Sequence, residues 1–170
     1  MEYFFTDPKT RAQKLYDLFY FRLSAQRQFC LVTSPKLIGL TIWEPPGSHH
    51  QFITGKEMIH GVPLLIKIGY KSLNRILNLS LYMSSLREKL IKEPYWYFDF
   101  VAVDPKFRRC QMGKSLIEYY LKLADKDNLP IYLEVQNVNY IGLYERLGFK
   151  IVHQSIIPET DIMSFCMIRK

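Results

Sequence analysis

Residues 103–116, VDPKFRRCQMGKSL, crowd Lys106, Arg108, Arg109 and Lys114 around a single glycine, Gly113. The stretch runs from an apolar strand pattern into an amphipathic helix pattern. The start of a helix is already electropositive, so cations there are unfavourable unless an anion binds. Backbone N–H groups at such a turn are open to phosphate oxygens, and Gly113 admits a close approach. The basic side chains would add charge-assisted contacts, and a pyrophosphate would supply the missing anion. The plainer reading is a solvated basic helix start. Neither G-x-G-x-x-G nor G-x-x-x-x-G-K-[ST] is present.

The whole chain narrows the choice. Its 170 residues suit one domain, and its 48% hydrophobic and 23% charged content is that of an ordinary globular protein. No run of about 20 apolar residues is present, so no membrane span is expected. The opening MEYFFTDPKTR does not read as a secretory leader. Cys30, Cys110 and Cys166 stand far apart, which fits a reduced, cytoplasmic setting without a disulfide framework. His49 and His50 are adjacent and point apart on any strand, so no shared metal is expected. His60 and His153 read as surface positions of a helix and a strand. A net charge of +7 leaves nucleic acid, a membrane surface and a phosphorylated cofactor as anionic partners. No basic helix or stacking motif supports nucleic acid.

The elements that must position this turn are legible in outline. Asp7 and Pro8 begin a helix that the spacing of Leu15, Leu18, Phe19 and Leu23 carries to about Gln26. FCLVT and LIGLTIW read as strands joined by SPK, and EPPGSHHQ as a loop. Residues 53–91 look helical with a break near Gly61–Pro63. YWYFDFVAV is the strongest strand pattern, followed by a helix from Met112 to about Asp127. PIYLEV is a strand, and Asn139–Leu147 a short helix stopped by Gly148. FKIVHQSII and IMSFCMIR close as an antiparallel pair. The order predicts an α/β domain with a mixed sheet.

VAVDPKFRRCQMGKSL and the downstream LEVQNVNYIGLYERLGF together resemble the GNAT superfamily of N-acetyltransferases. The family's Gln/Arg-x-x-Gly-x-Gly/Ala pattern reads here as Arg108-Arg109-Cys110-Gln111-Met112-Gly113. Its Asn followed by L-Y-E-x-x-G-F is met by Asn137 and by Leu143 to Phe149. The resemblance is strongest over residues 95–170. It implies a mostly antiparallel central sheet with a splayed parallel pair, flanked by helices, with the family's usual first strand and helix apparently missing. It also implies a single domain, 1–170. Residues 8–92 would give the N-terminal helix, hairpin and acceptor-side helices, and 95–170 the acetyl-CoA-binding core.

Carried over by residue, the resemblance places Phe100, Val101, Ala102 and Val103 along the pantetheine arm of acetyl-CoA. Arg108, Arg109, Cys110, Gln111, Met112, Gly113 and Lys114 would hold the pyrophosphate. Asn137 would contact the cofactor arm, Tyr140 would lie beside it, and Tyr144 would stand near the sulfur. Amine attack on a thioester needs a neutral amine, a polarised carbonyl and a proton for the thiolate. The Val103 N–H could polarise the carbonyl, and the Tyr144 hydroxyl could protonate the sulfur. Asp99, whose side-chain direction is shared with Val101 and Val103 by strand alternation, is the first candidate base, and Glu134 the second. Glu44 could bind a cationic acceptor, and His49 could line a loop over the substrate groove.

Two departures stand out. Gln111 replaces the loop's first glycine, and little chain precedes the first helix, so an uncovered sheet edge could pair with a second copy as a homodimer. The expected activity is acetyl transfer from acetyl-CoA to a primary amine of a small molecule or peptide, in a ternary complex. The alternative is a CoA-binding sensor or interaction module without catalysis.

Overall fold

Alternating apolar and polar residues after residue 95 build a sheet, and the 3.6-residue periods on either side build helices against it. The computed structural model describes residues 3–25, 30–32, 38–48, 64, 66–107 and 111–170. These fall into two compact units.

The first unit draws on residues 1–27, 50–92 and 157–160. Its helix α1 (Pro8–Ala25) begins as expected: the Asp7 carboxylate accepts from the Lys9 N–H at 3.0 Å and the Thr10 hydroxyl at 2.8 Å. Those bonds hold the Asp7 carboxyl below its ordinary pKa. Helix α2 (Tyr70–Leu90) is preceded by Gly69, whose φ of 83° only glycine adopts without cost. The helix therefore starts at a break after Ile68, inside the stretch the sequence reads as continuous. The break expected at 61–63 lies outside the described residues. Phe5, Leu64 and Ile68 form this unit's buried cluster, with Leu15, Leu18, Phe21, Leu73 and Ile76 packed on it.

The second unit holds the whole sheet. Its strands are β1 (Cys30–Val32), β2 (Gly39–Glu44), β3 (Trp96–Val103), β4 (Ile131–Val135), β5 (Lys150–Ile156) and β6 (Met163–Arg169), in the order β1-β2-β3-β4-β6-β5. Every pairing is antiparallel except β3 with β4. The mixed, mostly antiparallel fold with one parallel pair is thus as the sequence implies. The hairpin β1–β2, grouped by the sequence with residues 8–92, belongs instead to the sheet, because β2 pairs along β3 from Gly39↔Val103 to Glu44↔Tyr97. Helix α3 (Met112–Asp127) connects β3 to β4, and α4 (Ile141–Arg146) follows a 3₁₀ turn at Val138–Tyr140.

One face of the sheet packs on α3. Trp43, Phe98, Ile131, Leu133, Val135 and Met167 meet Ile117, Leu121 and Ala124 in a single buried cluster. Trp43 stacks flat on Phe98 with centroids 4.3 Å apart and on Tyr120 at 5.0 Å. Its indole N–H donates to the Thr41 hydroxyl at 2.9 Å, which donates to the Phe100 carbonyl at 2.8 Å. Among the described residues no helix is long and apolar enough to cross a membrane.

Close approach of β2 to α3 depends on Gly39. A Cβ there would lie 3.0 Å from Leu116 Cδ1 and 3.2 Å from the Ala102 carbonyl oxygen. Gly39→Ala is expected to lower stability by about 1–3 kcal/mol, as overpacking does, read from the midpoint of urea unfolding.

Candidate active site

The parallel ladder between β3 and β4 is short. Trp96 pairs with Ile131 and Tyr97 with Tyr132, and pairing stops there although β3 continues to Val103 and β4 to Val135. The two strands part beyond Tyr97. Between Phe98 and Phe100 the register of β3 on β2 slips: Trp43 faces Phe98 while Ile42 faces Phe100, leaving Asp99 as the extra residue of a bulge. Strict alternation is broken there. Phe98 and Val101, three positions apart, both pack against the α3-side core. A bulge resets the side-chain period, so simple alternation does not fix the direction of Asp99 relative to Val101 and Val103.

At the far end of β3 the chain is held before it enters the basic turn. The Asp104 N–H donates to the Ile38 carbonyl at 2.8 Å, and the Asp104 carboxylate accepts from the Lys106 N–H at 2.8 Å. Helix α3 then starts with Gln111 at its N-cap, in the left-handed region at φ 57°, ψ 4°. Among the described residues no side chain caps the helix, and its first turn contains no acidic residue. Gln111 therefore takes the conformation a glycine would take, in place of the helical one that the residue type suggests. Gly113 is not demanded by internal packing: a Cβ there would make an ordinary contact 3.5 Å from Val103 Cγ2. Lys114 pairs with Glu118 one turn along, at 3.5 Å on the surface.

Three further expected positions surround the opening's two strands in sequence. Asn137 caps the 3₁₀ turn, its side-chain oxygen accepting from the Asn139 N–H at 3.0 Å. That leaves its NH₂ for another partner. Tyr140 is exposed. Tyr144 is half-buried, edge-on to Phe98 at 5.8 Å and to Phe149 at 6.0 Å. Burial among these rings pushes its phenol up to about 12.

The sheet face opposite α3 is more polar than the sequence reading anticipates. The Tyr97 hydroxyl donates to Glu134 Oε2 at 2.7 Å, spanning β3 and β4 where they part. Tyr132 lies beside Tyr97 with rings 6.2 Å apart and is wholly buried. Its hydroxyl has no hydrogen-bond partner among the described residues. Burial raises its pKa, and the Glu134 charge raises it further. Glu44 is buried at the end of β2, in register with Tyr97. Cys166, buried and outside any disulfide, is in register with Glu134. Tyr97 and Tyr132 are the members that sequence reasoning missed. Both alternate with core residues in strands that read as aromatic, and only the parallel register brings them together.

The structure thus brings Val103 beside Gly113 and Tyr144 beside Phe98. His49, Arg108, Arg109 and Cys110 lie outside the described residues. No group of three or more His, Cys, Asp or Glu placed to hold a metal occurs among the described residues. An extended arm with a phosphate at one end fits what is present: two strands that part, and an uncapped, carboxylate-free helix start at their open end.

Comparison with known proteins agrees with this geometry. A family model described as "Acetyltransferase (GNAT) family" matches residues 2–149. A peptidyl-lysine N-acetyltransferase from Escherichia coli is 30% identical over 63 residues, 37% of this chain and 42% of that protein. A [ribosomal protein bS18]-alanine N-acetyltransferase, also from E. coli, is 35% identical over 66 residues, 36% of this chain and 45% of that one. The match therefore spans under half the length of each of these relatives. Among solved structures, a Corynebacterium glutamicum protein described as "histone acetyltransferase HPA2 and related acetyltransferase" superposes with a TM-score of 0.65 at 21% identity, covering 96% of this chain and 77% of that one. A polyamine N-acetyltransferase from Drosophila melanogaster gives 0.59 at 16% identity, covering 86% and 77%. At these identities the two structures speak for the fold.

A non-glycine residue in the left-handed region costs about 1–2 kcal/mol. Gln111→Gly is expected to raise stability by about 1 kcal/mol, seen as a higher denaturant midpoint with an unchanged slope. An unchanged or lower midpoint would mean that the Gln111 side chain offsets its backbone strain.

Proposed function

We propose, from the premise that the chain belongs to the acetyltransferase (GNAT) family, that it transfers the acetyl group of acetyl-CoA to a primary amine of a small molecule or peptide by direct attack in a ternary complex. The observation that carries this reading is the parallel pair that stops at Tyr97/Tyr132 and opens toward the uncapped start of α3. Bound acetyl-CoA would supply a thioester, whose acyl carbon takes the amine and whose sulfur leaves. The backbone of Phe100, Val101, Ala102 and Val103 would hold its extended arm in the manner of a sheet partner, and the Val103 N–H would polarise the carbonyl. Arg108, Arg109, Cys110, Gln111, Met112, Gly113 and Lys114 would hold the pyrophosphate, the first-turn N–H groups pointing at its oxygens. Asn137 would offer its NH₂ to the arm, and Tyr140 would flank it.

Tyr144 would act on the sulfur, and its burial decides how. A phenol at about 12 is a weaker acid than an ordinary thiol near 8.5 by about 5 kcal/mol. Tyr144 is therefore suited to hydrogen-bond a leaving thiolate and poorly suited to hand its proton over outright. The proton shed by the amine would go to one of the two carboxylates on the parting strands, Asp99 on β3 or Glu134 on β4. Glu44, on the face that carries Glu134, would favour a cationic acceptor. His49 would line the acceptor groove. A reduced, cytoplasmic location is proposed with it.

A second reading, a CoA-binding module without catalysis, is favoured by one observation. Gln111 stands in left-handed backbone where the family pattern has glycine, adding a side chain beside the phosphates.

The deciding measurement is isothermal titration with acetyl-CoA. The parent is expected to bind in the micromolar range, and an Arg108→Ala, Arg109→Ala double variant at least about tenfold more weakly. Gly113→Ala is expected to fold with stability within about 1 kcal/mol of the parent and to bind acetyl-CoA more weakly, because no internal contact requires glycine there. On an amine panel, Tyr144→Phe is expected to lower kcat by about 10- to 100-fold, the loss of one hydrogen bond to developing charge. Tight binding with no turnover of any amine would establish the module. No binding by the parent would overturn both readings.

A further inference from the structure

We propose that two copies of this chain pair through the outer face of α2, antiparallel, about a two-fold axis that falls between Leu77 and Leu81. The proposal is independent of the acetyl-transfer reading and uses only residues of the first unit.

A surface helix ordinarily keeps its apolar residues on the side that faces the core. The inner side of α2 does this: Leu73 and Ile76 pack on the cluster of Phe5, Leu64 and Ile68, and Met83 and Leu86 are buried. The outer side carries a second apolar stripe. Tyr70 is 75% exposed, Leu77 39% and Leu81 70%. At 3.6 residues per turn, these three positions fall on one line along the helix. Exposed Asn74 and Glu88 fall on the same line, Glu88 five full turns after Tyr70. A helix that is apolar on both sides is one that something covers.

The order of residues along the stripe indicates a second copy. The stripe is symmetric about its midpoint. Leu77 and Leu81 hold the centre, Asn74 and Ser84 lie one turn out, and Tyr70 and Glu88 stand at the ends. Lay two such helices antiparallel with the two-fold at the level of residue 79. Leu77 of each copy then meets Leu81 of the other, Asn74 meets Ser84, and Tyr70 meets Glu88. The short Ser84 side chain admits the 8–10 Å axial approach usual for packed helices. Such a contact is isologous and closes at two copies.

The charges agree with this register. Glu88 of one copy comes beside Lys71 of the other, and the Tyr70 hydroxyl can donate to the same carboxylate. Neither Glu88 nor Lys71 takes part in an ion pair among the described residues. Lys89 lies at the same end, so each Glu88 stands between two lysines, one from each copy. A parallel pair in register would instead set Glu88 against Glu88 and align the helix dipoles. An anionic membrane surface fits less well, because a carboxylate lies in line with the leucines.

One helix pair about 30 Å long is smaller than a standard protein interface, so a weak dimer is expected, with a Kd of about 10–100 μM.

The test is sedimentation equilibrium of the full chain over about 5–300 μM, which brackets that Kd. Leu81→Lys is expected to weaken the dimer at least about tenfold, with the urea midpoint of dilute protein unchanged because Leu81 is exposed in the single copy. Lys71→Glu sets carboxylates against each other at both ends, and Glu88→Lys sets lysines against each other. Each alone is expected to weaken the dimer, and the two together to return it to within about threefold of the parent. Recovery by charge exchange is what an unspecific apolar contact would not show. A parent that stays monomeric throughout overturns the proposal. So does a dimer that is indifferent to Leu81→Lys and shows no recovery in the double variant, since its interface lies elsewhere. Binding of a monomeric parent to phosphatidylserine vesicles, lost in Leu81→Lys, would give the face to a membrane and overturn the proposal as well.

Discussion

A β-ladder that ends while both of its strands run on creates a demand, because backbone groups inside a fold must find hydrogen-bond partners. Here β3 and β4 meet at two residue levels only and then part. Antiparallel neighbours hold each of them from the outside, β2 along β3 and β6 along β4, so the sheet stays whole although its centre opens. The bulge at Asp99 adds twist to β3 where the separation grows. Around that opening lie the start of α3, the Tyr144 ring against Phe98, and the Tyr97–Glu134 bond between the strands.

The same burial acts differently on two tyrosines. Tyr144 lies among rings, and desolvation, with a smaller contribution from Tyr140, makes it a reluctant acid. Tyr132 is desolvated too, but a carboxylate stands near it. Burial raises both phenols, and the carboxylate beside Tyr132 raises that one further.

Much of this architecture could be read beforehand, and the failures have physical causes. The strand Trp96–Val103 and the helix Met112–Asp127 fell where pattern and turn chemistry agree, with Asp104 fixing the turn between them. Asp7 capped its helix as its type and the following proline imply. The bulge at Asp99 was invisible because FDFV alternates evenly, and a slipped register is set by the neighbouring strand. The bond between Tyr97 and Glu134 could not be foreseen either, since parallel register is fixed by the crossover through α3. The left-handed backbone of Gln111 could not be read either, because glutamine gives no local sign of it. The break at Gly69 was masked by apolar spacing that continues on both sides of it.

The chain contains two tryptophans, and both belong to this sheet. Trp43 is sealed between Phe98 and Tyr120 without contact with water, while Trp96 anchors the first level of the parallel ladder and donates its indole N–H to Asp127 at 2.8 Å. One indole is fully buried, with its N–H on the Thr41 hydroxyl, and the other ends on a carboxylate, so their emission should be separable by wavelength. The protein thus carries its own optical reporters, one in the core beneath the opening and one where the two strands still touch.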